Sequence, residues 1–185
     1  MRKKSLVALA VVLLLTLGVA AMSTGSAATP SASRLRGWPK PSASNAAAAT
    51  AAAEAAAKAK GVTRLVVIVS VVDAREFEAP PVEEELSVGD TVLLTEDVVT
   101  PAGRRIGHND VRFTGMFRGQ AFGEASFTLD GRGQILVEGV IDLADPQGEF
   151  AVVGGTREFR NARGQLFQLP GPTPEQSKLV FALLL

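Results

Sequence analysis

The chain has 185 residues, enough for one domain of ordinary size, with 46% apolar residues, no cysteine, no tyrosine and a single histidine. The absence of cysteine excludes disulfides and thiol chemistry, and one histidine excludes a multi-histidine metal site. The formal net charge of zero hides an asymmetry: residues 1–60 carry eight Lys or Arg against one acidic residue, and residues 61–185 eleven against eighteen. The acidic larger part argues against a nucleic-acid partner, because phosphate binding draws its affinity from clustered Lys and Arg.

Residues 1–28 read as an export signal. Arg2-Lys3-Lys4 supplies the positive start, Leu6 to Ala21 the apolar run, and Gly25-Ser26-Ala27-Ala28 the small-residue cleavage region. The expectation is a secreted or extracytoplasmic protein. An uncleaved N-terminal anchor is the minor alternative, since the apolar run falls short of the roughly 20 residues a spanning helix needs. Residues 29–60 read as an Ala/Ser/Pro-rich spacer. Trp38-Pro39-Lys40-Pro41 cannot propagate a helix, and Asn45 to Lys60 has alanine's helix propensity but no apolar stripe to bury.

From Val62 the pattern changes to strands, and residues 61–185 are expected to form the folded domain. Leu65 to Val72 is β-branched except at Leu65 and Ser70, as expected for a strand apolar on both faces, its outer one covered by a neighbouring subunit. Ala79-Pro80-Pro81 breaks the run, and Glu83-Glu84-Glu85 reads as a solvated rim. Thr91 to Thr95 and Ile106 to Phe113 flank a hairpin at Pro101-Ala102-Gly103. His108, Asp110 and Arg112 share one parity and face either a polar cavity or water. Phe122 to Leu129 alternates, Asp130-Gly131 turns, and Ile135 to Leu143 returns. Phe150 to Val153 leads to Gly154-Gly155-Thr156, and the Asn161-Ala162-Arg163-Gly164 turn leads to Gln165 to Leu169. Leu179 to Leu185 closes the chain with a strand apolar on both faces, which predicts barrel closure and a homo-oligomer.

The segment Val152-Val153-Gly154-Gly155-Thr156-Arg157-Glu158-Phe159-Arg160-Asn161-Ala162-Arg163-Gly164 resembles the V-x-G-G-T-G-x-[FY]-x-x-A-x-G signature of the allene oxide cyclase and dirigent protein superfamily. Gly133-Gln134-Ile135-Leu136-Val137-Glu138-Gly139 is similar to the G-x-I-x-V-x-G strand that precedes it. Ser87-Val88-Gly89-Asp90 and Gly103-Arg104-Arg105-Ile106-Gly107 resemble two earlier steps in the same order. The resemblance implies an all-β fold, an eight-stranded antiparallel barrel with an apolar cavity, often trimeric and exported. Arg157 stands where the signature has its third glycine, which leaves the loop path open.

No metal, phosphate-loop or Gly-x-Ser-x-Gly motif is present, so no cofactor or metal is expected. An enzyme of this composition works with carboxylates, arginine and His108 in an apolar pocket. The resemblance implies orientation of a small apolar or phenolic ligand with electrostatic stabilisation. Where the cyclase's first strand carries E-x-N, this chain offers Ser70 and Val72, which argues against allene oxide cyclase activity itself. Glu96 or Asp97 falls near the dirigent second-strand aspartate, and Asp73 near the mouth of the first strand. The candidate set is Asp73, Asp97, His108, Asp110, Arg112 and Glu138. Three functions compete: a barrel that steers cyclisation or coupling, a non-catalytic carrier of an apolar ligand, and a structural protein with a filled barrel. A cavity of about 300 Å³ or more with convergent carboxylates favours the first, a dry apolar pocket the second, and no pocket the third.

Overall fold

The computed structural model describes residues 43–77, 79, 87–143 and 148–185. The export segment, the first part of the spacer and Glu83-Glu84-Glu85 lie outside them.

Eight strands form one closed antiparallel barrel: β1 (Thr63–Phe77), β2 (Thr91–Val99), β3 (Arg105–Gly115), β4 (Gln120–Leu129), β5 (Gly133–Asp142), β6 (Glu149–Gly155), β7 (Arg163–Pro170) and β8 (Gln176–Leu184). Each strand pairs with its neighbours in the chain, and β8 closes the ring on β1 over Thr63–Ser70. The connections are short because the turns suit them. Gly103 and Gly131 take φ of 83° and 75° at the β2–β3 and β4–β5 hairpins, where a side chain is disfavoured.

Alternation along the strands fills the interior. Phe127 and Leu129 of β4, Ile135 and Val137 of β5, and Leu179, Phe181 and Leu183 of β8 belong to one core cluster, with Phe127 and Phe181 edge to face at 5.0 Å. A second cluster is built on Val92, Leu94, Phe113, Ala121 and Leu143. In β1 the register shifts between Val71 and Asp73, so Val72 is an extra, exposed residue opposite Thr95 and Glu96.

The loop after β6 has Arg157 at the place of the signature's third glycine. Arg157 adopts φ 52°, the left-handed conformation that glycine takes without strain, and opens a 3-10 turn over Arg157–Phe159. Of the two glycines before it, Gly155 is held by close approach: a Cβ there collides with the carbonyl oxygens of Gln134 and Phe159. At Gly154 the nearest atom is Arg163 Nη1, at 3.8 Å.

The alanine-rich segment departs from the expectation of a spacer with no face to bury. It is a helix, α1 (Ala43–Ala57), packed on β7 and β8. Ala49, Ala52, Ala53 and Ala56, spaced i, i+3, i+4, i+7, meet the outward side chains Phe167, Leu169, Val180 and Ala182 together with Val66. This helix covers the outer apolar face of β1, β7 and β8. The cover expected from a neighbouring subunit is supplied there by the same chain.

Candidate functional site

The barrel interior contains one carboxylate that the strand alternation cannot avoid. On β2 the inward set is Val92, Leu94, Glu96 and Val98, and Glu96 is 6% exposed. Directly across the β2–β3 ladder stands Asn109, 1% exposed. Its Nδ2 donates to Glu96 Oε2 at 2.7 Å, whereas its Oδ1 is buried and has no hydrogen-bond partner among the described residues. Burial pushes the Glu96 carboxyl up to about 7, against the opposing hydrogen bond from Asn109, so it exchanges a proton near neutral pH.

A cavity of about 40 Å³ lies against this pair. Val69, Leu94, Val111, Phe113, Phe127 and Phe150 supply apolar wall, and Gln168 a further polar group. The volume holds about one or two water molecules and no organic substrate. A carboxyl and an unpaired carbonyl oxygen in such surroundings can bind a hydrogen-bond donor, protonate a developing oxyanion or accept a proton. Among the described residues, no three His, Asp or Glu side chains come together as a metal site.

The six residues singled out from sequence all lie on the outer surface instead. Asp97 forms an ion pair with Arg105 at 2.7 Å and is the cross-strand partner of His108. His108 Nε2 is 3.7 Å from Asp110 Oδ2, and Asp110 Oδ1 accepts a hydrogen bond from Thr95 Oγ1. Arg112 pairs with Glu124, whose cross-strand neighbour is the exposed Glu138. Asp73 pairs with Arg75 at 3.2 Å. Asp110, Arg112 and Glu138 therefore meet in an outer groove with Leu93, Leu136 and Val153, separated from the cavity by the strand layer. His108, Asp110 and Arg112 share one face as expected, and that face is solvated. Of the neighbouring pair Glu96 and Asp97, the parity of β2 sends Glu96 inward. Ser70 and Val72 do not face the cavity: Ser70 pairs with the outward Asp97, and Val72 is the bulged residue.

Asn109 carried no sequence signal of its own. Its signal was relational: it shares parity with Gly107, Val111 and Phe113, the face opposite the charged 108/110/112 set.

No protein-family model and no curated protein matches the sequence. Solved structures do resemble it. A pyocyanin demethylase is 20% identical at a TM-score of 0.52, with 65% of this chain and 99% of that one covered. A pterocarpan synthase dirigent protein is 17% identical at 0.51, covering 66% and 82%. A nonspecific heme-binding cyclase that catalyses a 4+2 cycloaddition in neoabyssomicin biosynthesis is 23% identical at 0.52, covering 77% of each chain. At these identities the likeness is one of fold.

Proposed function

We propose that this chain, built on the barrel fold of the allene oxide cyclase and dirigent superfamily, is an exported protein that binds a small, largely apolar molecule inside the barrel and steers its cyclisation or coupling. The observation that carries the reading is the Glu96–Asn109 pair. A buried carboxyl and a buried, unpartnered amide oxygen cost stability that apolar side chains would not, and such costs collect where a ligand is handled. Glu96 in its protonated form donates to an oxygen on which negative charge develops. In its ionised form it accepts a proton or stabilises developing positive charge. Asn109 Oδ1 takes a donor of the ligand. Apolar walls set the ligand's conformation; a cyclisation balances as an isomerisation without a cofactor, and a coupling joins two phenoxyl radicals already formed by a separate one-electron oxidant. The barrels of the dirigent protein and the cycloaddition cyclase support this class of chemistry by fold.

Export is supported by the charge, apolar-run and cleavage-site pattern of residues 1–28. The exposed Leu93, Leu136, Val140 and Val153 support self-association through the outer face.

The cavity of about 40 Å³ favours a second reading, a filled barrel that binds nothing. The test offers linear polyene and phenolic-radical substrates to the wild type and to Glu96→Gln, and resolves the products by chiral chromatography. Steering predicts one dominant product with the wild type and a loss of selectivity in the variant. Product mixtures identical to those formed without protein would refute steering, and indole binding would then separate a carrier, which binds, from a filled barrel, which does not.

A further inference from the structure

Phe150 occupies an unusual bed. A Cβ at Gly139 of β5 would stand 3.0 Å from its Cδ1 and one at Gly148 2.7 Å from its Cε2, while one at Gly123 of β4 would meet Phe113 Cε1 at 2.8 Å before Phe150 Cε1 at 3.3 Å. Gly139 and Gly148, with Gly123 shared between Phe113 and Phe150, thus leave a notch that the Phe150 ring occupies, and the notch adjoins the cavity that Glu96 and Asn109 line. The ring also sits at a seam. The β5–β6 ladder pairs Ile135–Glu138 with Ala151–Gly155 and, among the described residues, makes no pair beyond Glu138 and Ala151, although β5 runs on to Asp142. Phe150 therefore has a ladder partner on the β7 side alone, Leu166. It is 7% exposed, whereas Phe127, Phe159 and Phe181, deeper in the same cluster, are 1–2% exposed.

We propose that Phe150 is the residue that determines what enters the barrel: its ring fills the ligand's place in the glycine notch, and a ligand reaches Glu96 and Asn109 by displacing it at the seam between β5 and β6. The inference rests on the interior-binding reading above and adds the route and the selecting side chain. When the ring leaves, its own volume is added to the cavity of about 40 Å³. Removing the ring removes the closed state, and apparent affinity then rises by the inverse of the open fraction.

The test is indole binding to the full chain, followed by stopped-flow fluorescence and calorimetry, with folding checked by circular dichroism. Phe150→Ala is expected to raise the association rate and the affinity about tenfold or more. Gly139→Ala, whose new methyl presses the ring out of the notch, is expected to raise the rate in the same direction. Phe159→Ala, a core truncation outside the cavity wall and away from the seam, is expected to leave it unchanged. Should Phe150→Ala not fold, Phe150→Leu carries the comparison with a smaller increase. An unchanged rate in a folded Phe150 variant, or an equal increase in Phe159→Ala, overturns the proposal. Faster indole entry without any effect of Glu96→Gln on product selectivity keeps the gate and removes the steering reading; unchanged entry with selectivity dependent on Glu96 does the reverse.

Discussion

Replacing Glu96 by Gln separates what the carboxyl costs the fold from what it does. In the folded barrel its proton is held up to about 7, against 4.5 for a free glutamate. Between those values the unfolded chain ionises while the folded one keeps its proton, so the folded state binds more protons and stability falls as pH rises. The contribution is fully present below about 4.5 and gone above about 7. A shift of about 2.5 pH units corresponds to about 3 kcal/mol. Glutamine is isosteric and uncharged. Its amide oxygen can accept from Asn109 Nδ2, and its amide nitrogen can donate to the Asn109 oxygen now left without a partner. Urea unfolding followed by circular dichroism at a series of pH values from 4 to 8 is the assay. The variant should match the wild type within about 1 kcal/mol at pH 4 and exceed it by about 3 kcal/mol at pH 8. The difference between the two curves isolates Glu96, because distant titrating groups contribute equally to both. Parallel curves across the range would refute the reasoning, since they require a Glu96 carboxyl that is as well solvated folded as unfolded.

Three further outcomes follow from the local geometry. Gly155→Ala forces a methyl against two backbone carbonyl oxygens and should cost about 3 kcal/mol or more, whereas Gly154→Ala should stay within about 0.5 kcal/mol, both read from denaturation midpoints. Arg157→Gly relieves a left-handed residue and should stabilise the barrel by about 1 kcal/mol, seen as a melting temperature higher by a few degrees. Burial opposes ionisation of Asp90, but hydrogen bonds from the Ser87 and Ala79 backbone amides and the Ser87 hydroxyl outweigh it and hold its carboxyl below 3.8. Its stabilising contribution is therefore full above pH 3.8 and lost as pH falls through the lower folded-state value. Asp90→Asn should cost about 1–3 kcal/mol at neutral pH, with the gap to the wild type closing in acid.

Strand order and turns were legible because the alternation of β4 and β5 and the glycine turns leave few other pairings. The face of β2 was not. Val92, Leu94 and Val98 alternate with Leu93 and Val99, so both faces contain apolar residues and the adjacent Glu96 and Asp97 cannot be told apart until the register with β3 is known. Charge in the sequence points to His108, Asp110 and Arg112, yet on a half-exposed strand charge marks the solvated face. The informative residue was the uncharged polar one on the opposite face, Asn109. The docking face of α1 was invisible for a different reason: a helix of nearly uniform alanine has the same hydropathy on every side, and only the barrel's outward Phe167, Leu169 and Val180 select which methyl groups are buried. The doubly apolar β1 and β8 were legible as strands needing an outer cover, but the sequence did not show that this cover lay in the preceding segment of the same chain.

The central claim is that ligand is handled inside the barrel at Glu96 and Asn109, with the charged outer groove playing no part in it. The most direct measurement is a crystal structure of the Phe150→Ala protein soaked with indole. The account predicts electron density for the ring in the notch in front of Gly123 and Gly139, its N–H directed at Asn109 Oδ1 or Glu96. Density confined to the outer groove of Asp110, Arg112 and Glu138, with the interior collapsed around the missing ring, would contradict it.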